Sequence, residues 1–345
     1  MSCYHPLKGF PVGSHISGKP AYKIVPYTTD YLWKFKDDEV WNKGVGELNY
    51  NPKYSYSTEY VEIPCGKCIG CRLKYSRQWA DRCMLEAQEH EQSYFVTLTY
   101  DDEHVPRSSY EIEDTGECGD TFTLCKRDFQ LFMKRLRKNY KHDNKLRFFM
   151  CGEYGTHTLR PHYHVIIFGL KLDDLQFYKK SSQNFNYYNS EFLQKCWQKG
   201  YVVITDVSWE TCAYTARYVM KKANGQDKDF FELHNMEPEF VLMSRKPGIA
   251  RNYFDEHKDD IYMTDEIIFS TSKGGKSSRP PRYFDQLFEL ERPDVFENIK
   301  EKRSAVAEAL RASKMANTDL SYLELLEVEE HALQERTKAL KRIDI

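Results

Sequence analysis

The chain has 345 residues, a formal net charge of −2 and ten cysteines. The near-neutral charge argues against a uniformly basic nucleic-acid-binding protein, and no apolar run approaches the roughly 20 residues that a membrane span needs. The first residues lack the apolar core of a signal peptide. We therefore expect a cytoplasmic protein with no membrane partner and with mostly reduced cysteines.

The sequence divides into three predicted regions. Residues 1–60 are rich in Tyr, Pro, Gly and Lys without clear periodicity, which predicts an irregular N-terminal arm. Residues 61–260 contain the predicted elements of the main domain. Residues 261–345 form a predicted linker and helical tail, in which Ala, Leu, Glu, Lys and Arg favour two amphipathic helices interrupted near residues 317–319.

Cysteines cluster in residues 64–71, PCGKCIGC, directly before a helix predicted over residues 72–90. Thiolates at Cys-x-x-Cys spacing are typical of structural zinc sites, so Cys65, Cys68 and Cys71 predict bound zinc. Cys3 and His5 are both possible fourth ligands. Three ordinary buried cysteines are the alternative interpretation.

Basic residues are concentrated locally. Residues 126–147 contain nine Lys or Arg against two Asp, whereas residues 283–345 contain fourteen acidic against ten basic residues. On the helix after the cysteines, Arg72, Lys74 and Arg77 present positive charge to a nucleic acid. Aromatic residues make up 14% of the chain, which suits stacking on single-stranded bases but equally suits a tyrosine-rich core.

The main domain alternates strands and helices. Strands are predicted where β-branched and aromatic residues run together, over residues 94–100, 147–153, 162–168 and 201–207. Helices are predicted over residues 127–140, 190–199 and 209–223. The order strand, helix, strand, strand, helix, strand, helix predicts an α+β fold with a central antiparallel sheet and flanking helices.

Two histidines occupy the start of the third of these strands. His162 and His164 share one face because side chains alternate along a strand, so they can chelate one divalent metal. The turn-rich link over residues 154–161 predicts antiparallel pairing that brings Glu153 close to His162. Two imidazoles and a carboxylate form a metal-binding face with open positions for a phosphate. The alternative is two histidines that only pack.

Two tyrosines lie one turn apart in the last predicted helix. Tyr214 and Tyr218 present their hydroxyls on one helix face, and a tyrosine hydroxyl can attack phosphorus to form a phosphotyrosine. Lys221 and Lys222 follow on nearly the same side, where an ammonium could stabilise phosphate charge or assist loss of the tyrosine proton. Such tyrosine pairs usually pack, and the histidines upstream are what favours chemistry here.

Separate motifs resemble one known family. Residues 95–100 (FVTLTY), 161–164 (PHYH) and 214–221 (YTARYVMK) resemble, in order and spacing, the three motifs of the HUH rolling-circle replication initiators. Residues 3–6 (CYHP), 64–71 and 244–249 (SRKPGI) look like the replication initiators of gokushoviruses, small single-stranded DNA phages of the microvirus group. The resemblance extends over residues 1–253.

The resemblance implies an HUH endonuclease with an RRM-like or ferredoxin-like palm. Such an enzyme nicks one strand at the viral origin, stays on the 5′ phosphate through a tyrosine, and leaves a 3′ hydroxyl for the host polymerase. A second tyrosine then acts in closing the product strand. The chain contains no helicase motif, so we expect a host helicase to unwind the DNA, in the cytoplasm of an infected bacterium.

The resemblance also implies residue roles. His162 and His164 are then metal ligands, Tyr214 and Tyr218 nucleophiles, and Lys221 the motif lysine. Glu153, in a similar Gly-Glu-x-Gly setting, is the expected third ligand for Mg²⁺ or Mn²⁺. The other carboxylates and imidazoles that could replace it are Asp101, Glu103 and His157.

Two other functions remain open from the sequence. A non-catalytic protein that binds single-stranded DNA or the origin explains the basic and aromatic residues but leaves the histidines and tyrosines as coincidences. A metal-dependent nuclease that activates water needs the histidines but not the tyrosines.

Overall fold

The structure is a computed structural model, and it describes residues 3–15, 18, 20–112, 116–155, 158–181, 185–217, 226–271 and 274–338. The chain separates into two compact units. One comprises residues 75–306, and the other combines residues 1–74 with residues 307–341. The boundaries predicted at residues 60 and 260 stay predictions.

Strands and helices alternate along the described residues. The strands are β1 Leu7–Ser14, β2 Pro20–Pro26, β3 Tyr31–Phe35, β4 Asn42–Gly44, β5 Tyr54–Ser57, β6 Val61–Ile63, β7 Ser93–Thr99, β8 Arg107–Glu111, β9 Cys118–Phe122, β10 Arg147–Tyr154, β11 Pro161–Phe168, β12 Gln176–Lys180, β13 Asn186–Asn189, β14 Val202–Asp206, β15 Phe240–Met243, β16 Ile267–Thr271 and β17 Gly274–Ser278. The helices are α1 Ile69–Gln88, α2 Lys126–Asn139, α3 Glu191–Trp197, α4 Trp209–Arg217, α5 Gln226–Leu233, α6 Arg251–Thr264, α7 Arg282–Glu291, α8 Pro293–Met315 and α9 Tyr322–Lys338.

The larger unit is built on a seven-stranded sheet. Its strand order is β12-β13-β14-β7-β11-β10-β15, and the paired strands run antiparallel. The central strands β7, β10 and β11 are the apolar runs that the sequence predicts, because only strands covered on both faces need apolar residues at consecutive positions. The hairpin β8–β9 lies outside this sheet.

Helices cover both faces of the sheet, and the parity of β11 divides the two cores. Tyr163, Val165 and Ile167 pack in the core that includes side chains of α2 and α3. Ile166 and Phe168 point to the opposite face, into the core with α1 and α4. His162 and His164 share the parity of Ile166, so they face α4.

The predicted helices form with small shifts at their ends. The N-cap of α3 is Ser190, whose side chain accepts a hydrogen bond from the amide of Leu193, as the sequence predicts. This helix ends at Gln198 in the left-handed conformation rather than at Gly200. Helix α4 is described only to Arg217, so the predicted continuation to residue 223 lies outside the described residues.

A third core follows the sheet in the larger unit. Phe254 and Tyr262 of α6, Phe284 and Phe288 of α7 and Phe296 of α8 form its aromatic centre. Helices α8 and α9 correspond to the two predicted C-terminal helices, with the break between Met315 and Tyr322 where residues 317–319 predict it.

The smaller unit corrects one expectation. Residues 7–57 are not irregular: they contain strands β1–β5, arranged with β6 in the sheets β2-β1-β6 and β4-β3-β5. Their strongly buried positions are few, mainly Phe10, Val25 and Leu32, while Tyr22 and Ile24 are exposed. Sheets with so small a core produce no apolar alternation in the sequence.

The fold class is therefore the predicted one, an α+β protein with a central antiparallel sheet, flanking helices and a helical C-terminal region. No helix in the described ranges has both the length and the apolar character to cross a membrane.

Candidate metal centre and tyrosine site

The strand pair β10–β11 brings the predicted metal ligands together. Glu153 lies directly opposite His162 in the antiparallel register, and Cys151 lies opposite His164. Directly opposite residues project to the same face, so the Glu153 carboxylate lies beside both imidazoles. The pairing that the sequence predicts for Glu153 and His162 is confirmed.

Three ligand atoms converge at this point. The Oε1 atom of Glu153 lies 3.0 Å from Nε2 of His162 and 2.7 Å from Nε2 of His164. Adjacent ligands of an octahedral Mg²⁺ at its usual bond length are ~2.9 Å apart. The spacing of these nitrogen and oxygen atoms thus fits one divalent ion with little rearrangement, in a two-histidine, one-carboxylate face.

Neighbouring oxygen atoms orient the two imidazoles. Nδ1 of His162 lies 3.2 Å from the carbonyl oxygen of Arg160, which can only accept, so this nitrogen donates and the neutral ring carries its lone pair on Nε2. Nδ1 of His164 lies 3.0 Å from Oγ1 of Thr97. With Nδ1–H donating to Thr97, the lone pair of His164 Nε2 also points to the centre, as metal ligation requires.

Packing holds His164 rigidly. Its side chain is fully buried, and its ring stacks on Phe95 with centroids 5.4 Å apart and an interplanar angle of 16°. Burial lowers the pKa of His164 below its ordinary value. Burial alone would raise the pKa of Glu153, but hydrogen bonds with His162 and His164 outweigh it and hold that pKa well below its ordinary value. The resting centre therefore combines a neutral His164 with an ionised carboxylate.

Tyr214 of α4 reaches the same centre. Its hydroxyl donates a hydrogen bond of 3.1 Å to Oε1 of Glu153, and its ring packs edge-on against His164 with centroids 5.0 Å apart. The side chain is only 6% exposed. One predicted nucleophile thus lies within hydrogen-bond distance of a predicted metal ligand.

Other predicted site residues are not brought into this group. Tyr218, Lys221 and Lys222 lie outside the described residues, as does His157. Asp101 is a partner of His104, with Oδ1 2.7 Å from Nδ1, and Glu103 is exposed. Within the described residues the metal-compatible group at the two histidines includes Glu153 and neither Asp101 nor Glu103.

The predicted zinc and DNA residues surround the start of α1. Cys3, Cys65, Cys68 and Cys71 form a second metal-compatible group. On α1 itself Arg72 and Lys74 are exposed, whereas Arg77 is partly buried with Nε 3.9 Å from Asp81 Oδ2.

A basic cavity lies at the other end of β10. It has a volume of about 410 Å³, and its basic lining includes Arg137, Lys145, Arg245 and Lys246. Phe148 contributes an aromatic wall, with the guanidinium carbon of Arg137 5.6 Å from its ring centroid. No acidic side chain lines this cavity in the described part of the chain. The basic stretch predicted over residues 126–147 supplies part of it.

Sequence reasoning missed two residues of the centre, Thr97 and Phe95. Strand β7 pairs with β11 so that Thr97 lies opposite His164 and Thr99 opposite His162. The signal was the alternation of residues 95, 97 and 99 within FVTLTY, but its use required knowing that β7 pairs with β11 across about 60 residues of chain.

Comparison with known proteins extends these observations to most of the chain. A family model described as replication-associated protein ORF2 matches residues 93–223, which carry Glu153, both histidines and Tyr214. The chain is 34% identical over 298 residues to the replication-associated protein ORF2 of Spiroplasma virus 4, covering 84% of this chain and 89% of the relative.

Two further relatives have similar descriptions. The replication-associated protein VP4 of Bdellovibrio phage phiMH2K is 29% identical over 259 residues, which is 72% of this chain and 75% of that protein. The replication-associated protein ORF4 of Chlamydia phage 1 is 28% identical over 274 residues, which is 76% of this chain and 63% of that protein. No solved structure matches the chain significantly. The chain therefore belongs to the family of phage replication-associated proteins, as the motifs of its sequence predict.

Proposed function

We propose that this protein is a metal-dependent, site-specific DNA nickase that initiates rolling-circle replication of a phage genome through a phosphotyrosine intermediate. The observation that carries the proposal is the convergence of Glu153, His162, His164 and the Tyr214 hydroxyl on one face of the sheet. Family membership supports the replicative role, and the side chains support the chemistry.

The three-ligand face would hold Mg²⁺ or Mn²⁺. When bound, the ion supplies Lewis-acid polarisation of the scissile phosphate and neutralises charge on it. His162 and His164 contribute nitrogen lone pairs directed by Arg160 and Thr97, and Glu153 contributes the negative charge. The two imidazoles favour Mn²⁺ on ligand grounds, while Mg²⁺ is the expected physiological ion.

The nucleophile is a tyrosine hydroxyl of the last motif. Its oxygen forms a bond to phosphorus as the bond from phosphorus to the 3′ oxygen of the preceding nucleotide breaks. The tyrosine gives up one proton and the departing 3′ oxygen takes one up, so the step needs no further reactant. The products are a 5′-phosphotyrosine and a free 3′ hydroxyl.

Tyr214 is the described candidate because its hydroxyl is 3.1 Å from Glu153. Tyr218 is one turn further along the sequence, and we assign it to the second transfer that closes the product strand. Lys221 and Lys222 would stabilise phosphate charge, a role that we infer from the motif.

Single-stranded DNA at the viral origin is the proposed substrate. Strand β10 runs from the basic cavity at Arg147 to Glu153, about 20 Å at the usual rise per residue. Phosphates in the cavity and on Arg72, Lys74 and Arg77 would neutralise the basic side chains. Host helicase and polymerase are the proposed partners, in the cytoplasm of the infected bacterium.

The direct test is covalent capture. The purified chain is incubated with labelled single-stranded oligonucleotides that tile the phage origin, with Mn²⁺ or Mg²⁺, and a denaturing gel is searched for a protein-linked label. Peptide mapping then identifies the attached residue. We expect an adduct on Tyr214 or Tyr218 that requires the metal.

Matched variants separate the competing mechanisms. Y214F/Y218F should abolish both nicking and adduct, whereas Y201F, which alters a tyrosine that is 68% exposed, should retain both. H162A/H164A should lose cleavage while keeping DNA binding. Cleavage by Y214F/Y218F without an adduct would indicate activated water instead, and tight binding by the wild type without any cleavage would indicate a non-catalytic DNA-binding protein.

A further inference from the structure

Four cysteines from two distant parts of the chain meet beside the first turn of α1. Cys3 precedes Cys65 by about 60 residues, yet its sulfur and those of Cys65, Cys68 and Cys71 all lie within 4.8 Å of one another. The Sγ atoms of Cys3 and Cys68 are 4.0 Å apart. This is about twice the length of a disulfide bond and close to the ~3.8 Å edge of a tetrahedral zinc–thiolate site with normal bond lengths.

Backbone amides point at these sulfur atoms. The N–H groups of Lys67 and Cys68 lie 3.4 and 3.3 Å from Sγ of Cys65, and the N–H of Cys71 lies 3.5 Å from Sγ of Cys68. Gly66 adopts a φ of +73°, which an L side chain rarely adopts, and this turn directs both amides to one sulfur. Amide donors on sulfur stabilise thiolates rather than thiols, so the loop is built for negative sulfur.

The N-terminal segment supplies the fourth sulfur in the same way. The amide of Tyr4 donates to Sγ of Cys68 at 3.4 Å, and the amide of Cys65 donates to Sγ of Cys3 at 3.2 Å. His5, the other possible fourth ligand, is engaged elsewhere, with Nε2 2.6 Å from Oε2 of Glu330. The contacts therefore favour Cys3 over His5.

The surroundings of the cluster are apolar. Cys68 is buried with Tyr4 and Leu326, and Leu323 and Leu333 of α9 pack against them. Four sulfur ligands and an apolar shell leave no open coordination position for a substrate, as in structural rather than catalytic zinc sites.

We propose that Cys3, Cys65, Cys68 and Cys71 bind one structural Zn²⁺ that fastens the N-terminal segment to the start of α1. This site is separate in residues from the nickase centre and does not depend on the proposed function.

The test measures metal content. The full chain is purified under reducing conditions, and zinc and iron are quantified by mass spectrometry. We expect about one zinc per chain. C3S and C65S should retain about a tenth of an equivalent or less, whereas C118S, which alters an exposed cysteine, and H5A should retain the wild-type amount. H162A/H164A should also keep its zinc, which excludes the nickase centre as the source.

Cobalt substitution of the wild-type protein provides a readout that does not depend on variants folding. Co²⁺ held by four thiolates gives an intense thiolate charge-transfer band and tetrahedral d–d bands, and C3H should keep the metal while shifting those bands. Less than about a tenth of an equivalent of zinc in the wild type without a thiolate–cobalt band would overturn the proposal. So would stoichiometric iron, or equal zinc loss in C118S and C3S.

Discussion

The buried ion pair between Glu86 and Arg147 provides a stability prediction that can be worked from the structure. Glu86 lies on α1 and Arg147 begins β10, the strand that ends at Tyr154, and their side chains are 4% and 6% exposed. The guanidinium of Arg147 also donates to the carbonyl oxygens of Pro247 and Gly248, each at 3.0 Å. The second carboxylate oxygen of Glu86 accepts from the amide of Ala250 at 2.5 Å.

Replacing Glu86 with Gln leaves the guanidinium buried without its counter-charge. Removing one partner of a buried pair typically costs about 3–5 kcal/mol. For a unit the size of residues 75–306, that corresponds to a fall in Tm of roughly 6–20 °C. The assay is thermal unfolding at pH 7 followed by circular dichroism. The matched control is E91Q, which breaks an exposed pair with Lys171 and should leave Tm close to the wild-type value.

The pH dependence provides a second check on the same pair. Burial alone would raise the pKa of Glu86, but its hydrogen bonds and Arg147 lower it below the ordinary value of 4.5. The unfolded chain then binds a proton at higher pH than the folded one, so this stabilisation is present above pH 4.5 and is lost as pH falls through the folded pKa. The Tm difference between wild type and E86Q should shrink accordingly.

Two results would refute this reasoning. One is a Tm loss in E86Q no larger than in E91Q, which would mean that the buried charge is compensated by other groups. The other is strict additivity in the E86Q/R147Q double variant, because a coupled pair loses less than the sum of its single losses.

Three further predictions concern the candidate site. T97V should lower the affinity for Mn²⁺ about 10- to 100-fold by calorimetry, because it removes the oxygen that orients His164, and excess Mn²⁺ should restore nicking; unchanged affinity would contradict that role. In the metal-free protein, stability should fall as pH drops below the ordinary histidine pKa of 6.5, because the pKa of buried His164 is lowered and the unfolded state takes up the proton first; H164Q should lose this slope. K145A/R245A should reduce the logarithmic salt slope of single-stranded DNA binding by about 1.4, measured by fluorescence anisotropy, whereas K302A, an exposed lysine on α8, should not.

The sequence predicts the local part of the candidate site well. Alternation along residues 162–168 and the short turn before them determine the shared face of His162 and His164 and the register that brings in Glu153. These are contacts between neighbours in the chain. Helix periodicity similarly assigns Tyr214 to α4, although its hydrogen bond to Glu153 follows only from the fold.

Long-range pairing is what sequence patterns leave open. The position of Thr97 depends on β7 pairing with β11, and the choice of Cys3 over His5 depends on where the N-terminal segment crosses α1. The strands of residues 7–57 escaped prediction because many of their side chains are exposed on both faces, so no period appears. Strands β12 and β13 are short for the same sheet and contain exposed residues such as Phe177 and Tyr178.

The smaller unit is assembled from the first and last parts of the chain, and this has a consequence for its biosynthesis. Tyr4 and Cys68 are buried against Leu326, which a ribosome adds only after all of residues 75–306 have been made. At roughly 5–20 residues per second, those intervening residues take on the order of 10–50 s to translate. During that time the N-terminal strands and the four cysteines wait without their helical partner. A transcript truncated before α9 would thus yield a chain with its sheet intact but with an apolar, thiol-rich surface exposed to aggregation and oxidation.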